Sequence, residues 1–150
     1  MRLFRANIED VPRIIDCARE FCALLGQKLN ERYYQMFWEG GIATGSGVIF
    51  LLEHDGKVVG GIGGKTAREL LSGEVYAVEL FWYVKLEFRG TMWAIRLMTK
   101  FEQWARDCGC KEVAMIHMEK SMPEKLKEFY TRSGYVLDET VYRKKIGGSK

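Results

Sequence analysis

The sequence predicts a single α/β (α+β) domain, with a mixed and mostly antiparallel sheet that contains a central parallel pair and is flanked by about four helices. Hydrophobic periodicity along the 150 residues indicates the order β α α β β β α β α β β. A strand, a crossover helix and a second strand between Val75 and Met118 require a locally parallel pair. The Asp-Gly pair in "HDG", residues 54–56, indicates an antiparallel hairpin.

Composition and charge favour one soluble domain over residues 1–150. Hydrophobic residues make up 47% and aromatic residues 13% of the chain, which argues against disorder. The 23 Lys and Arg only slightly outnumber the 20 Asp and Glu, and no basic run reaches five, so nucleic acid is not an expected partner. No apolar run is long enough to span a bilayer, so we expect a cytoplasmic protein without a membrane partner.

The cysteines and histidines predict no metal site. The two cysteine pairs have spacings of five and two, which fit no zinc template, and the two histidines are isolated in the sequence. We therefore expect no metal cofactor and four buried, reduced thiols, those of Cys17, Cys22, Cys108 and Cys110.

The first part of the chain should form a strand, two helices and a hairpin. Residues Arg2–Ala6 alternate as a short strand, and Asn7 with Asp10 resembles an N-cap and its partner. Apolar residues then recur at helical spacing up to Gly26, and a less regular helical pattern covers Leu29–Trp38 until "EGGIATGSG" breaks it. The hairpin joins two extended runs, Gly47–Glu53 and Lys57–Lys65.

The second part should continue with a central strand, a regular helix and alternating elements. Val75–Val84 is rich in β-branched and aromatic residues. The apolar face of Ala94–Cys108 predicts the clearest helix of the chain, which Gly109 ends. "EVAMIHM" is typical of a strand, and Ser121 with Glu124 is typical of a capping box before another helix. "RSGYVLDETVYRKKI" predicts a turn and two terminal strands.

The stretch "RGTMWA", residues 89–94, connects the central strand to the clearest helix. The first N–H groups of a helix have no intrahelical partner, and together with the helix dipole they suit a pyrophosphate. Met92 and Trp93, however, are bulky residues where such loops usually keep glycine. Considered alone, the stretch is either a phosphate-binding loop or only a turn.

Two motifs give the chain a resemblance to the GNAT superfamily of N-acetyltransferases over essentially its whole length. The acetyl-CoA loop of that family follows the pattern R/Q-x-x-G-x-G/A. Arg89 and Ala94 match this pattern, Gly90 is an additional glycine, and Met92 replaces a glycine. A second family motif, close to FYxxxGF, is matched by Phe129, Tyr130, Gly134 and Tyr135.

The resemblance implies a GNAT fold and direct transfer of an acetyl group from acetyl-CoA to a primary amine of a small molecule or protein. The end of the central strand would bind the pantetheine arm and the thioester carbonyl: Phe81, Trp82, Tyr83 and Val84. The following loop would hold the pyrophosphate, with Arg96 near an outer phosphate: Arg89, Gly90, Thr91, Met92, Trp93 and Ala94. Tyr130 would protonate the departing thiolate. Glu79 would act as the base if a strand bulge turns it towards the acceptor.

Each implied role has a structural alternative. Tyr130 also fits a core aromatic residue, Glu79 a salt-bridged strand residue, and Arg96 a solvated helix residue. The aromatic cluster Tyr33–Trp38 fits either the core or one border of the acceptor site. Pro123 stands where the family often has asparagine, so one contact with the cofactor should be missing.

The predicted activity is acetyl-CoA-dependent N-acetyl transfer in a ternary complex. A covalent intermediate is not expected, because no cysteine lies at the end of the central strand. A GNAT-fold acyl-CoA-binding or regulatory protein with little turnover is the alternative, which Met92 favours. The scattered charge disfavours a nucleic-acid-binding module. A homodimer is compatible with the resemblance, since dimers are frequent among relatives.

Overall fold

The computed structural model describes residues 1–116 and 123–147, and its strands form one mixed sheet. The strands are β1 Arg2–Arg5, β2 Gly47–His54, β3 Lys57–Arg68, β4 Val75–Val84 and β5 Val113–Ala114. Strands β1 to β4 are antiparallel neighbours in chain order, and β5 lies parallel to β4. The predicted mixed sheet with one parallel pair is confirmed.

The described chain contains four α-helices, the number that the sequence predicts. They are α1 Ile15–Leu24, α2 Glu31–Thr44, α3 Met92–Asp107 and α4 Pro123–Arg132, with 3₁₀ segments at Ile8–Ile14 and Leu86–Phe88. The chain separates into two units, Met1–Ile116 and His117–Lys150. The first unit contains the whole sheet and α1 to α3, and the second contains α4. No described helix is long and apolar enough to cross a membrane.

The sheet carries a separate apolar cluster on each face. Phe50 and Leu52 of β2 lie in one cluster and Ile49 in the other, because successive strand side chains point to opposite faces. The first cluster includes Phe101 of α3, and we call its side of the sheet the α3 face. The second includes Trp38 of α2 and defines the α2 face.

Strand β4 contains a bulge at Leu80. The register with Gly63–Gly64 pairs Phe81 and Glu79 with these consecutive glycines and leaves Leu80 without an opposite residue. The additional residue reverses the alternation of the strand. Ala77, before the bulge, lies on the α3 face, whereas Phe81, after it, lies on the α2 face.

The two glycines opposite the bulge make room for aromatic rings. A Cβ atom on Gly63 would lie 2.4 Å from Phe81 Cε1, and one on Gly64 would lie 2.5 Å from Phe101 Cζ. These distances are too short for any side chain, which explains the glycine-rich sequence of β3. The close approach places the bulge against the core of both faces.

Helix α2 is longer than its sequence pattern predicts, and it ends at Thr44 rather than near Trp38. Gly41 of the helix meets the start of β2, since a Cβ atom on Gly47 would lie 3.1 Å from the Cα atom of Gly41. The helix therefore includes a residue of low helix propensity at Gly41 because a tertiary contact favours its small size. Gly45, with a φ of +76°, ends it.

The predicted terminal strands are wrong for the described residues, because residues 135–146 contain no strand. Strand propensity describes how well a side chain fits a pleated and half-buried surface. A segment with high propensity forms a strand only where a neighbouring strand supplies hydrogen bonds. The large apolar side chains of this segment are instead exposed: Val136, Leu137, Val141, Tyr142 and Ile146.

Some predicted features lie outside the described residues. The strand predicted in "EVAMIHM" is present only as Val113–Ala114, and its last two residues, with Ser121 of the capping box, are not described. The side chain of Pro123 is not described either.

Candidate functional site

In the part of the chain that the structure describes, strand β4 has a parallel neighbour only along the first half of its length. The ladder with β5 consists of the pairs Ala77 with Val113 and Val78 with Ala114, whereas β4 continues to Val84. Within residues 1–116 and 123–147, no strand pairs with Phe81–Val84 on this side. Such an open strand edge can accept an extended ligand through backbone hydrogen bonds.

Glu79 places a buried carboxyl at the point where this ladder ends. The residue is 3% exposed, and its Oε2 accepts a hydrogen bond from the Ile116 N–H at 3.0 Å. Burial raises the pKa of Glu79 to about 7, although the hydrogen bond from Ile116 lowers it. No ion pair to Glu79 occurs in the described part of the chain. A carboxyl with a pKa near neutrality is well suited to proton transfer.

The bulge separates Glu79 from the aromatic residues that follow it. Glu79 lies opposite Gly64, and opposite residues share a face, so its side chain is on the α3 face. Phe81 belongs to the α2-face cluster, and Tyr83 packs against it. The sequence predicts that a bulge would decide the direction of Glu79, and the structure contains that bulge.

A glycine turn and a capped helix follow β4. Gly90 has a φ of +74°, a conformation that favours glycine. Thr91 is the N-cap of α3, and its Oγ1 accepts the Trp93 N–H at 3.4 Å and donates to the Phe88 carbonyl at 3.2 Å. Sequence reasoning did not identify this cap, although threonine before a helix is a typical signal. The cap satisfies one N–H of the first turn and stabilises the turn that presents the others.

The bulky residues of the loop point in different directions. Met92 is 61% exposed, so its side chain does not pack in the core. Trp93 is half-buried and packs against the α3-face cluster. The guanidinium of Arg96 lies over the Trp93 ring, with Cζ 4.6 Å from the ring centroid. Arg96 is thus exposed but held close to the start of α3.

Arg89 is held by two groups at the end of β4. Its Nε donates to the Val84 carbonyl at 2.6 Å, and its Cζ lies 5.2 Å from the centroid of the Tyr83 ring. Its two Nη atoms make no hydrogen bond with any described residue. The guanidinium is therefore oriented through one edge and retains donors for an anion.

Tyr83 connects this loop to α1. Its hydroxyl donates to Glu20 Oε2 at 2.8 Å, and Lys85 Nζ lies 3.1 Å from Glu20 Oε1. Burial and the neighbouring Glu20 raise the pKa of Tyr83 to about 12. Burial alone would raise the pKa of Glu20, but the hydrogen bonds from Tyr83 and Lys85 lower it below its ordinary value. Glu20 is a residue that sequence reasoning missed.

The second unit contains Tyr130, the predicted general acid, and the aromatic motif around it. Tyr130 is buried, and its ring centroid lies 6.1 Å from that of Phe129 and 5.6 Å from that of Tyr135. The turn at Gly134, with a φ of +86°, allows the Tyr135 N–H to donate to the Tyr130 carbonyl at 2.9 Å. The two ends of the predicted motif are thus adjacent.

The thiols differ from the prediction that all four are buried. Cys17 is buried, with a pKa raised to about 11 by burial, but Cys22 and Cys110 are only partly buried and Cys108 is exposed. All four are free. The described side chains include no group of three or more histidines, cysteines or carboxylates placed to hold a metal ion.

Comparisons with known proteins agree with this architecture. The model of the acetyltransferase (GNAT) family matches residues 13–135. A protein from Clostridium acetobutylicum described as a predicted acetyltransferase, solved with acetyl-CoA, is 10% identical with a TM-score of 0.79, covering 97% of this chain and 96% of that one. No curated protein matches the chain.

Two further solved structures are similar to the chain. A ribosomal-protein-alanine N-acetyltransferase from Brucella melitensis biovar Abortus 2308 is 14% identical with a TM-score of 0.74, covering 97% of this chain and 100% of that one. An aminoglycoside acetyltransferase from an uncultured soil metagenomic sample, in complex with trehalose, is 18% identical with a TM-score of 0.76, covering 99% and 96%. At these identities the likeness concerns the fold.

Proposed function

Because the chain belongs to the acetyltransferase (GNAT) family, we propose that it transfers the acetyl group of acetyl-CoA directly to a primary amine in a ternary complex. One observation carries the proposal: among the described residues, no parallel strand pairs with Phe81–Val84, the end of β4 that leads to a glycine turn and a capped helix. The open edge suits the amides of a pantetheine arm, and the helix start suits a pyrophosphate. One ligand could therefore use both features.

The cofactor would bind along β4 and across the loop. Backbone groups of Phe81–Val84 would bind the pantetheine arm and the thioester carbonyl, although the Val84 carbonyl already accepts from Arg89. The N–H groups of Arg89–Ala94 would hold the pyrophosphate, although that of Arg89 already donates to the Leu86 carbonyl and that of Trp93 to Thr91 Oγ1. The Nη donors of Arg89, which no described residue accepts, support this role. Arg96, above Trp93, would approach an outer phosphate.

The chemistry requires a base, a donor for the oxyanion and an acid. Glu79, buried and with a pKa of about 7, would accept a proton from the amine as its nitrogen attacks the carbonyl carbon of the thioester. A backbone N–H of β4 would stabilise the oxyanion. The C–S bond then breaks, and Tyr130 would give its phenolic proton to the thiolate. The products are the amide and CoA.

The acceptor is a primary amine of a small molecule or a protein. The relatives with specific names act on different acceptors, since one is named for a ribosomal protein alanine and another for aminoglycosides. For this chain we propose only the class of primary amines.

A binding or regulatory protein with little turnover is the second candidate. The exposed Met92 favours it, because a side chain occupies the place where the family has glycine and the ligand's phosphates come close to the backbone. Measured turnover separates the two candidates.

Acetyl-CoA and CoA should raise the midpoint of thermal unfolding, whereas ATP should raise it less. A ligand that binds the folded state at about 100 times its Kd stabilises it by about 2.7 kcal/mol. Differential scanning fluorimetry at millimolar ligand would measure the shift. An unchanged midpoint with both acetyl-CoA and CoA would exclude the proposed enzyme and the binding protein alike.

Met92→Gly should tighten cofactor binding about threefold to tenfold, which corresponds to roughly 1 kcal/mol. The exposed side chain makes no core contact to lose, and glycine would let the phosphates approach the backbone. Titration calorimetry with CoA would measure the change. Met92→Ala should give a smaller gain. Weaker binding by a folded Met92→Gly variant would show that the loop needs the side chain.

A further inference from the structure

Tyr83 is held on one side by two consecutive residues of α1. Its hydroxyl donates to Glu20 Oε2 at 2.8 Å, and its ring centroid lies 5.6 Å from that of Phe21. Glu20 is held in turn by Lys85, whose Nζ lies 3.1 Å from Oε1. The hydroxyl and the ring of Tyr83 therefore both take their positions from the helix.

The other side of Tyr83 faces the loop that follows β4. The guanidinium of Arg89 lies 5.2 Å from the Tyr83 ring centroid, and its Nε donates to the carbonyl of Val84, the next residue of the strand. These two contacts determine where the remaining donors of Arg89 point. In the described structure Glu20 hydrogen-bonds only Tyr83 and Lys85, so its contact with Arg89 passes through Tyr83. The Glu20 carboxylate also attracts the Arg89 guanidinium directly through space, and the pKa of Glu20 is lowered partly for this reason.

We propose that Glu20 is a positioning residue for the pyrophosphate loop, and that it acts through the Tyr83 hydroxyl to hold Arg89 in its binding orientation. This inference rests on the proposed function, because it requires that Arg89–Ala94 bind the pyrophosphate of CoA. A side chain that is already oriented loses less conformational freedom when its ligand binds. Glu20 would therefore increase the affinity for CoA without contacting it.

Charge and geometry have opposite consequences at Glu20. A carboxylate near a bound pyrophosphate repels it, so loss of the charge alone would tighten CoA binding. Loss of the hydrogen-bond acceptor would release the Tyr83 ring and weaken binding. Glu20→Gln removes the charge and keeps an acceptor oxygen, whereas Glu20→Ala removes both, so the two variants distinguish these effects.

The experiment compares CoA with S-acetylpantetheine, which lacks the pyrophosphate, by titration calorimetry. Glu20→Ala and Tyr83→Phe should each raise the Kd for CoA about twofold to fivefold, the scale of an exposed cation–π contact. Glu20→Ala, which lies outside the proposed pantetheine site, should not change the Kd for S-acetylpantetheine. The double variant should bind CoA no more weakly than either single variant, because both remove the same interaction. Glu20→Gln should remain close to the wild type.

Glu31→Ala is the matched control. Like Glu20, Glu31 forms an ion pair between α1 and another segment: its Oε1 lies 2.5 Å from Nε of Arg19 in α1. The two glutamate side chains are similarly exposed, at 48% for Glu31 and 47% for Glu20. This variant should bind CoA as the wild type does. Tighter CoA binding by both Glu20 variants, additive effects in the double variant, or an equal loss for S-acetylpantetheine would each overturn the inference. A wild type that binds no CoA would instead refute the proposed function.

Discussion

Tyr130→Phe is expected to lower kcat by about 10²- to 10⁴-fold, the usual contribution of a positioned general acid, with little change in the Kd for CoA. Phenylalanine keeps the ring that packs against Phe129 and Tyr135 and removes only the hydroxyl. The thiolate would then have to take its proton from water. Thiol release from acetyl-CoA, measured with an amine found by screening, would give kcat.

Tyr135→Phe is the control for this change. It removes a hydroxyl from the adjacent ring, whose centroid is 5.6 Å from that of Tyr130, without touching the proposed acid. We expect its turnover to resemble that of the wild type. Equal activity of the wild type and Tyr130→Phe would show that Tyr130 is only a core residue. The CoA thiolate would then take its proton from solvent.

Glu79→Gln should remove a pH dependence of stability and also lower turnover. The folded-state pKa of about 7 lies above the ordinary value of 4.5, so between these values the folded protein keeps a proton that the unfolded chain has lost. The contribution of Glu79 to wild-type stability should therefore be most favourable below pH 4.5 and should fall as the pH rises to 7, by on the order of 3 kcal/mol. Glutamine never ionises, and its amide oxygen can still accept the Ile116 N–H, so the variant should lack this decline.

Denaturant unfolding at pH 5 and pH 8 would measure this difference. Glu87→Gln, at an exposed position shortly after β4, is the control and should retain the wild-type decline. If Glu79 is also the base, kcat of Glu79→Gln should fall by about 10²- to 10⁴-fold. A variant that keeps full turnover but loses the stability decline would leave Glu79 as a buried structural carboxyl and refute its role as the base.

Elements with strong local signals were predicted well. Val75–Val84 agrees at both ends with the predicted central strand, because most of its residues are β-branched or aromatic. The Asp-Gly hairpin turn also agrees, with φ values of +49° at Asp55 and +74° at Gly56. The C-terminal segment 135–146 has comparable propensity but no strand, because pairing depends on a partner that propensity does not report.

The candidate site likewise contains features that local sequence determines and features that depend on tertiary contacts. The glycine turn at Gly90 and the helix after it follow from neighbouring residues, so the sequence alone determined the loop and the family resemblance. The bulge at Leu80, the burial of Glu79 and the contact of Glu20 with Tyr83, 63 positions apart, were decided only by the tertiary structure. The physical reason is that turn and cap energies arise between adjacent residues, whereas register, desolvation and side-chain pairing depend on what the folded chain brings close.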